Sequence, residues 1–142
     1  MANTNMTNVL TSAAPVVKSM PQGVISNICS AAVTTSLAAN DTLTGPSIPA
    51  GAYLVDVLLM STDLDTAGSP TITLDVGISG SAAKFISAST VGQTGGVARM
   101  GLTTGLGYSP TSDTPVIVTV NAAGTTKAAG TVTLAILYTN SP

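Results

Sequence analysis

Few residues in this chain have the means to do chemistry. The most suggestive group is Asp63, Asp65 and Gly68, with Asp75 a little further on. Asp-x-Asp-x-x-Gly is how an EF-hand calcium loop opens, because alternate carboxylates converge on one cation and glycine permits the sharp turn. The remainder of such a loop is missing: Ala67 stands where a third ligand belongs and Leu74 where the bidentate acid would be. Two readings stay open, a calcium site of another design between subunits, or a pair of aspartates capping turns through side chain–backbone hydrogen bonds.

Other chemistries each lack a part. There is no His, and the six acidic residues (Asp41, Asp56, Asp63, Asp65, Asp75 and Asp113) include no Glu. That removes the commonest general base, the Ser-His-Asp and Cys-His arrangements and most zinc sites. A carboxylate-pair hydrolase would have to use two Asp, and these fall mostly in loops or on strand exteriors. Gly92-Gln93-Thr94-Gly95-Gly96 lacks the Lys and the helix of a phosphate loop. Cys29, the single cysteine, rules out an internal disulfide and reads as a small buried hydrophobe. The expectation is a protein with no catalytic residues and no cofactor.

Two further groups have a physical rationale. Asp56 falls in an otherwise apolar run, where a lone carboxylate is costly unless paired. Arg99, the only arginine, could be its partner in a buried ion pair; a neighbouring subunit could supply a different one. Sugar recognition favours flat aromatic platforms, yet the chain has no Trp, one Phe and three Tyr. Tyr108, in a Gly-Tyr-Ser-Pro turn, is the one candidate contact residue, since Tyr53 and Tyr138 fall on the inward faces of predicted strands.

The bulk composition points away from nucleic acid and membrane. Charged residues are 7% of the chain, against about 25% in a typical soluble domain. Lys18, Lys84, Arg99 and Lys127 are too scattered to neutralise a phosphate backbone. No apolar stretch approaches the ~18–20 residues of a spanning helix, and Ala52 to Met60 carries Asp56 in its middle. The N-terminal residues do not read as a secretory signal, so the expected site of synthesis is a cytoplasm. A chain so poor in charge is expected to have part of its surface covered by other protein, although abundant Ser, Thr, Asn and Gly also keep a surface polar.

These residues must be positioned by an all-β scaffold. Residues 1–22 show no sustained period and read as an extended N-terminal arm, whose apolar points Val9, Leu10, Val16, Val17 and Met20 are spaced to dock on a neighbour. Residues 23–142 form the expected β-sandwich domain. Val24–Ile28 and Ala32–Leu37 are short β-branched runs. Two prolines and two glycines between Thr44 and Gly51 then read as a turn region. Tyr53–Met60 is a strand apolar on both faces, with Tyr53, Val55, Val57 and Leu59 on one side, as if covered twice. Thr71–Gly77 alternates, with Ile72, Leu74 and Val76 inward and Asp75 outward. Residues 81–91 place Ala82, Phe85, Ile86 and Ser89 at the spacing of a short helix, which Gly92–Gly96 breaks. Val97–Leu102 reads as a further strand. Strands through Val116–Val120 and Thr131–Thr139 are expected to pair as a hairpin across the linker Asn121–Gly130. About eight short strands separated by turns predict an antiparallel β-sandwich that is jelly-roll-like.

Residues 48–139 carry a resemblance as well. Ile48-Pro49-Ala50-Gly51, Ser61-Thr62-Asp63-Leu64-Asp65-Thr66, Ser69-Pro70-Thr71 leading to Leu74-Asp75-Val76-Gly77, Phe85-Ile86 and Gly130 to Thr139 resemble small capsid decoration (cement) proteins of tailed bacteriophages. The likeness implies a virion β-sandwich on the capsid exterior, a homotrimer that binds and ties together the major capsid protein. Another virion component (a head fibre base or tail protein) and a carbohydrate- or host-binding β-module are the alternatives.

Overall fold

The structure, a computed structural model, describes residues 23–101, 103 and 105–140. In chain order the elements are β1 (Val24–Val33), β2 (Thr42–Ile48), β3 (Tyr53–Ser61), β4 (Thr73–Ile78), β5 (Ser81–Ser89), α1 (Val91–Thr94), β6 (Gly96–Arg99), β7 (Thr114–Ala122) and β8 (Gly130–Thr139). They form two four-stranded sheets, β1-β8-β3-β6 and β2-β7-β4-β5, with every pairing antiparallel. Only the β4–β5 connection stays within one sheet; all other consecutive strands alternate between sheets. That connectivity is a jelly roll, and the predicted sandwich of eight strands is the fold observed.

Alternation explains the core. On β8, Val132, Leu134, Ile136 and Tyr138 point inward; on β7, Val116, Val118 and Val120 do the same, and all are at most 9% exposed. Leu74 and Val76 of β4 and Phe85 of β5 complete the second sheet's inner face, while Leu54, Val57 and Leu59 of β3 complete the first. Leu64, Ile72 and Val91 belong to the same core.

Several local expectations give way to bulges and crossovers. The run read as a turn region contains β2, whose register shifts between Thr44 and Ser47. At such an irregularity in an edge strand, Pro46 is tolerated without its N–H. Gly45 is required by close approach: a Cβ there would collide with Leu134 Cδ2 and come within 3.0 Å of the Val116 carbonyl oxygen. Residues 81–89 are strand β5 rather than a helix, and the one helix among the described residues is α1, immediately after it. Bulges produced the helical spacing, since the β4–β5 register shifts twice and Ala88 takes a left-handed φ of 47°. Phe85 and Ile86 are both buried as a result.

The expected β7–β8 hairpin is absent, because the linker carries the chain from one sheet to the other. On β3, a register shift between Leu54 and Asp56 inverts the alternation. Leu54 therefore joins Val57 and Leu59 in the core, and Tyr53, expected inward, is 38% exposed. Asp75 lies opposite Thr119 on the outer side of its sheet, as its alternation requires, yet is buried where its Oδ1 accepts the Ala88 N–H at 2.6 Å. The two early runs merge into the single strand β1, which ends at Val33.

Candidate functional site

Register places one residue set on the outer face of the first sheet. Cα partners across antiparallel strands point to the same side, so rows can be read directly. Val24 faces Thr139, which faces Tyr53; Ser26 faces Leu137, which faces Asp56. Ile28, Ala135, Leu58 and Arg99 make the next row, and Ser30, Thr133, Met60 and Val97 the one after. Val24, Ile28 and Val97 are 58%, 60% and 61% exposed, with Leu58, Met60 and Leu137 half-buried between them. An outer sheet face normally alternates to polar residues; here half of the residues in these rows are apolar, interspersed with Ser, Thr, Tyr53 and the Asp56–Arg99 pair.

Asp56 and Arg99 are brought together in the middle of that face. Arg99 Nε donates to Asp56 Oδ2 at 2.8 Å, and its Nη2 donates to the same oxygen. Asp56 Oδ1 accepts the Val57 N–H at 2.9 Å. The carboxylate is 10% exposed and the guanidinium side chain 70%, so Arg99 lies over Asp56 from the solvent side. Arg99 thus cancels the one acidic charge among these rows, leaving Val24, Ile28 and Val97 exposed around a neutral pair.

Asp63 and Asp65 have a different role. Asp63 Oδ1 accepts the Asp65 N–H at 3.0 Å. Asp65 is 1% exposed and accepts from the backbone N–H groups of Thr126 (2.7 Å), Thr71 (2.7 Å), Thr125 (2.9 Å), Ile72 (3.3 Å) and Ala67 (3.4 Å). Burial opposes its charge, but the amides of Thr71, Thr126, Thr125 and Ile72 together outweigh burial and hold the carboxyl well below the usual carboxylate range. One side chain therefore fastens the loop after β3 to the loop before β8, alongside an isolated antiparallel backbone β-bridge between Asp65 and Lys127. Its oxygens face donors rather than the shared gap a cation needs, and no cluster of three metal-ligating side chains occurs among the described residues.

Tyr108 is not a free platform. Phe85 packs edge-on against its ring at 5.7 Å, and the Lys84 ammonium sits 4.7 Å from the ring centre. Cys29, expected to be buried, is exposed. It lies on edge strand β1, at the rim of a cleft of about 110 Å³ between the β1 and β2 edges that Leu43, Gly45, Val118 and Leu134 also line. The arm residues Val9, Leu10, Val16, Val17 and Met20 lie outside the described residues. No helix among the described residues is long and apolar enough to cross a membrane. The reading from residues missed Val24, Ile28 and Val97 as a set, although β1 has no charged residue and β3 is apolar on both faces.

Such a molecule is a jelly-roll domain with exposed apolar residues on the outer face of one sheet. Neither the protein-family models nor the curated proteins give a match; the likeness is to solved structures. A chain of the cyanophage Pam1 capsid asymmetric unit is 39% identical, with a TM-score of 0.78 over 85% of this chain and 86% of that one. A chain of the Ralstonia phage GP4 capsid is 33% identical, with a TM-score of 0.76 over 84% and 86%. A chain of the acidic stable capsid of Helicobacter pylori bacteriophage KHP30 shares the fold, at 18% identity and a TM-score of 0.57 over 82% and 91%. The protein belongs to the family of β-sandwich chains found in bacteriophage capsids, and it is a virion structural protein.

Proposed function

We propose that this chain is a decoration or cement protein, which binds the outer surface of the major capsid shell and stabilises it as a homotrimer. The observation that carries this reading is the set of exposed apolar residues Val24, Ile28 and Val97 on the outer face of the first sheet, uncovered among the described residues in a chain of a capsid family. Copies of the chain meet on that face, where the neutral Asp56–Arg99 pair lets like surfaces approach without repulsion. Residues 1–22 act as an arm outside the 23–142 domain, docking on the shell or a neighbouring copy through Val9, Leu10, Val16, Val17 and Met20. Many copies each adding modest contacts sum through multivalency. The role is structural, with no catalysis and no cofactor.

The test is reconstitution on shells stripped of this protein. The full chain should bind in hundreds of copies and raise the temperature at which shells rupture. A chain lacking residues 1–22 should fold, by circular dichroism, and bind poorly. Binding of the truncated chain as tight as that of the full chain would remove the arm's role. Failure of the full chain to bind any shell would remove the cement reading.

A further inference from the structure

A jelly roll leaves four strands at sheet edges, and three are protected here. β2 carries Pro46 and a register shift, β5 carries Lys84 and two shifts, and β6 is four residues long and ends at Arg99. The fourth, β1, has ten residues, no charge, no proline and an unbroken register against β8. Successive residues of such a strand turn their N–H and C=O alternately toward the neighbour and away from it. No strand among the described residues pairs with the far side of β1, and an open row of that length is a template for another strand. The sandwich is also open beside this edge. Cys29 and Ala31, on the inner side of β1, line the cleft of about 110 Å³ together with Leu43, Gly45, Val118 and Leu134. A small-molecule site runs to about 300–1,000 Å³; this cleft has the size of a side-chain pocket.

We infer that β1 pairs antiparallel with β1 of a second copy, about a twofold axis beside Ile28. In an antiparallel ladder each residue pairs with one of its own alternate set, so the axis of a symmetric pair passes beside a residue and never between two. An axis at Ile28 pairs residues 24–32 with themselves and one at Cys29 pairs 25–33; no other axis overlaps as much of the strand. The inner side selects between them. With the axis at Ile28, Ile25, which is 37% exposed, stands opposite Ala31 of the second copy, at the mouth of its cleft. With the axis at Cys29, Asn27 takes that place and sets an amide over apolar lining. On the outer side an axis at Ile28 puts Ile28 against itself, Ser26 against Ser30 and Val24 against Ala32, with no charged side chain in the seam. The strand thus supplies both the backbone row and the apolar side chain that its own edge lacks, which is the argument for a second copy as the occupant. Such an isologous contact joins copies in pairs. The inference therefore goes beyond the proposed homotrimer, adding an edge contact that a threefold arrangement on the outer face does not use.

Cysteines on the full chain read this register. Ile28→Cys in a Cys29→Ser background, and Asn27→Cys beside the native Cys29, each set two thiols opposite one another across the axis. One of these is a non-hydrogen-bonded pair, with Cα atoms about 4.5 Å apart, within disulfide reach. In the unaltered protein the two Cys29 residues lie diagonally, about 7–8 Å apart, which is too far. Gentle oxidation of free protein and of shell-bound protein should give a covalent dimer in at least one variant, about tenfold or more faster than in the unaltered chain. Ser26→Lys with Ser30→Lys sets like charges opposite one another and should weaken dimerisation about tenfold in sedimentation velocity; Ser26→Lys with Ser30→Asp should restore it to within about threefold. Circular dichroism checks that each variant folds. Equally fast crosslinking through Cys29 alone would move the axis and overturn the inference, as would equal loss in both charge variants. Monomer throughout would overturn it too, and β1 amides protected from exchange in that monomer would show another segment on the edge. Val97→Asp, at the opposite edge of the same sheet, should leave the crosslinks unchanged. Shell binding, measured separately, tells failure of this contact from failure of the cement reading.

Discussion

Ile28→Asp is the sharpest perturbation of the face proposed for assembly. Ile28 is 60% exposed and sits in the row with Ala135, Leu58 and Arg99. Burying a whole isoleucine side chain is worth ~1.5–3 kcal/mol, so covering the remaining 60% contributes about 1–2 kcal/mol per copy. An aspartate there loses that term and places an unpartnered carboxylate against apolar surface, a further ~2 kcal/mol or more. The combined ~3–4 kcal/mol corresponds to association weakened roughly 10²- to 10³-fold. Ile28→Ser removes only the apolar term and should weaken association about 5- to 30-fold. Sedimentation velocity over a dilution series reads both numbers. Circular dichroism and thermal unfolding serve as the folding check, because Ile28 lies outside the core and a surface change away from special features moves stability by about 0.5 kcal/mol or less. If folded Ile28→Asp protein assembled at wild-type concentrations, the face would not be the contact surface.

Three other outcomes follow from the geometry. Asp65 has its folded pKa lowered, so its stabilisation is complete above the unfolded value near ~4 and drains away as pH falls below it toward the depressed folded value. Thermal unfolding across that acid range should show the loss in the wild type and a flatter profile in Asp65→Asn, which should be the less stable of the two at neutral pH. Gly77→Ala puts a Cβ into the carbonyls of Ser81 and Ala82, backbone atoms that cannot step aside, and should cost at least about 3 kcal/mol in denaturant unfolding. Gly80→Ala in the same hairpin has open space and only a left-handed φ of 79° to pay for, about 1–2 kcal/mol; equal costs would refute the steric account. Arg99→Ala should destabilise the folded chain by about 1–2 kcal/mol, less than a fully buried pair because the guanidinium is largely exposed, and the Asp56→Asn/Arg99→Ala double variant should recover most of that loss.

What the residues disclose, and what they hide, divides along the bulges. β7 and β8 alternate without interruption, so Val116 to Val120 and Val132 to Tyr138 announce their inner faces directly. β3 and β5 each shift parity, which is why Tyr53 was expected inside and residues 81–91 as a helix. Period-two reasoning cannot see an extra residue in a strand. β2 was hidden by Gly45 and Pro46, whose reasons are tertiary: an opposing Leu134 and an edge with no ladder bond to lose. The β7–β8 pairing failed because sequence neighbours in a jelly roll mostly belong to different sheets. The proximity of Asp56 to Arg99 follows from β3–β6 register, which no local pattern reports. The Asp65 fastening was half visible, as turn capping, but its partners beyond residue 120 are not foreseeable from spacing.

The central claim is that the exposed apolar residues on one sheet face of this virion protein are there to be covered by other protein of the particle. A cryo-EM reconstruction of intact particles tests it most directly. The account expects this chain in hundreds of copies on the shell exterior, with Val24, Ile28 and Val97 buried against a second copy. A map showing that face open to solvent, or only a few copies confined to one vertex, would contradict it.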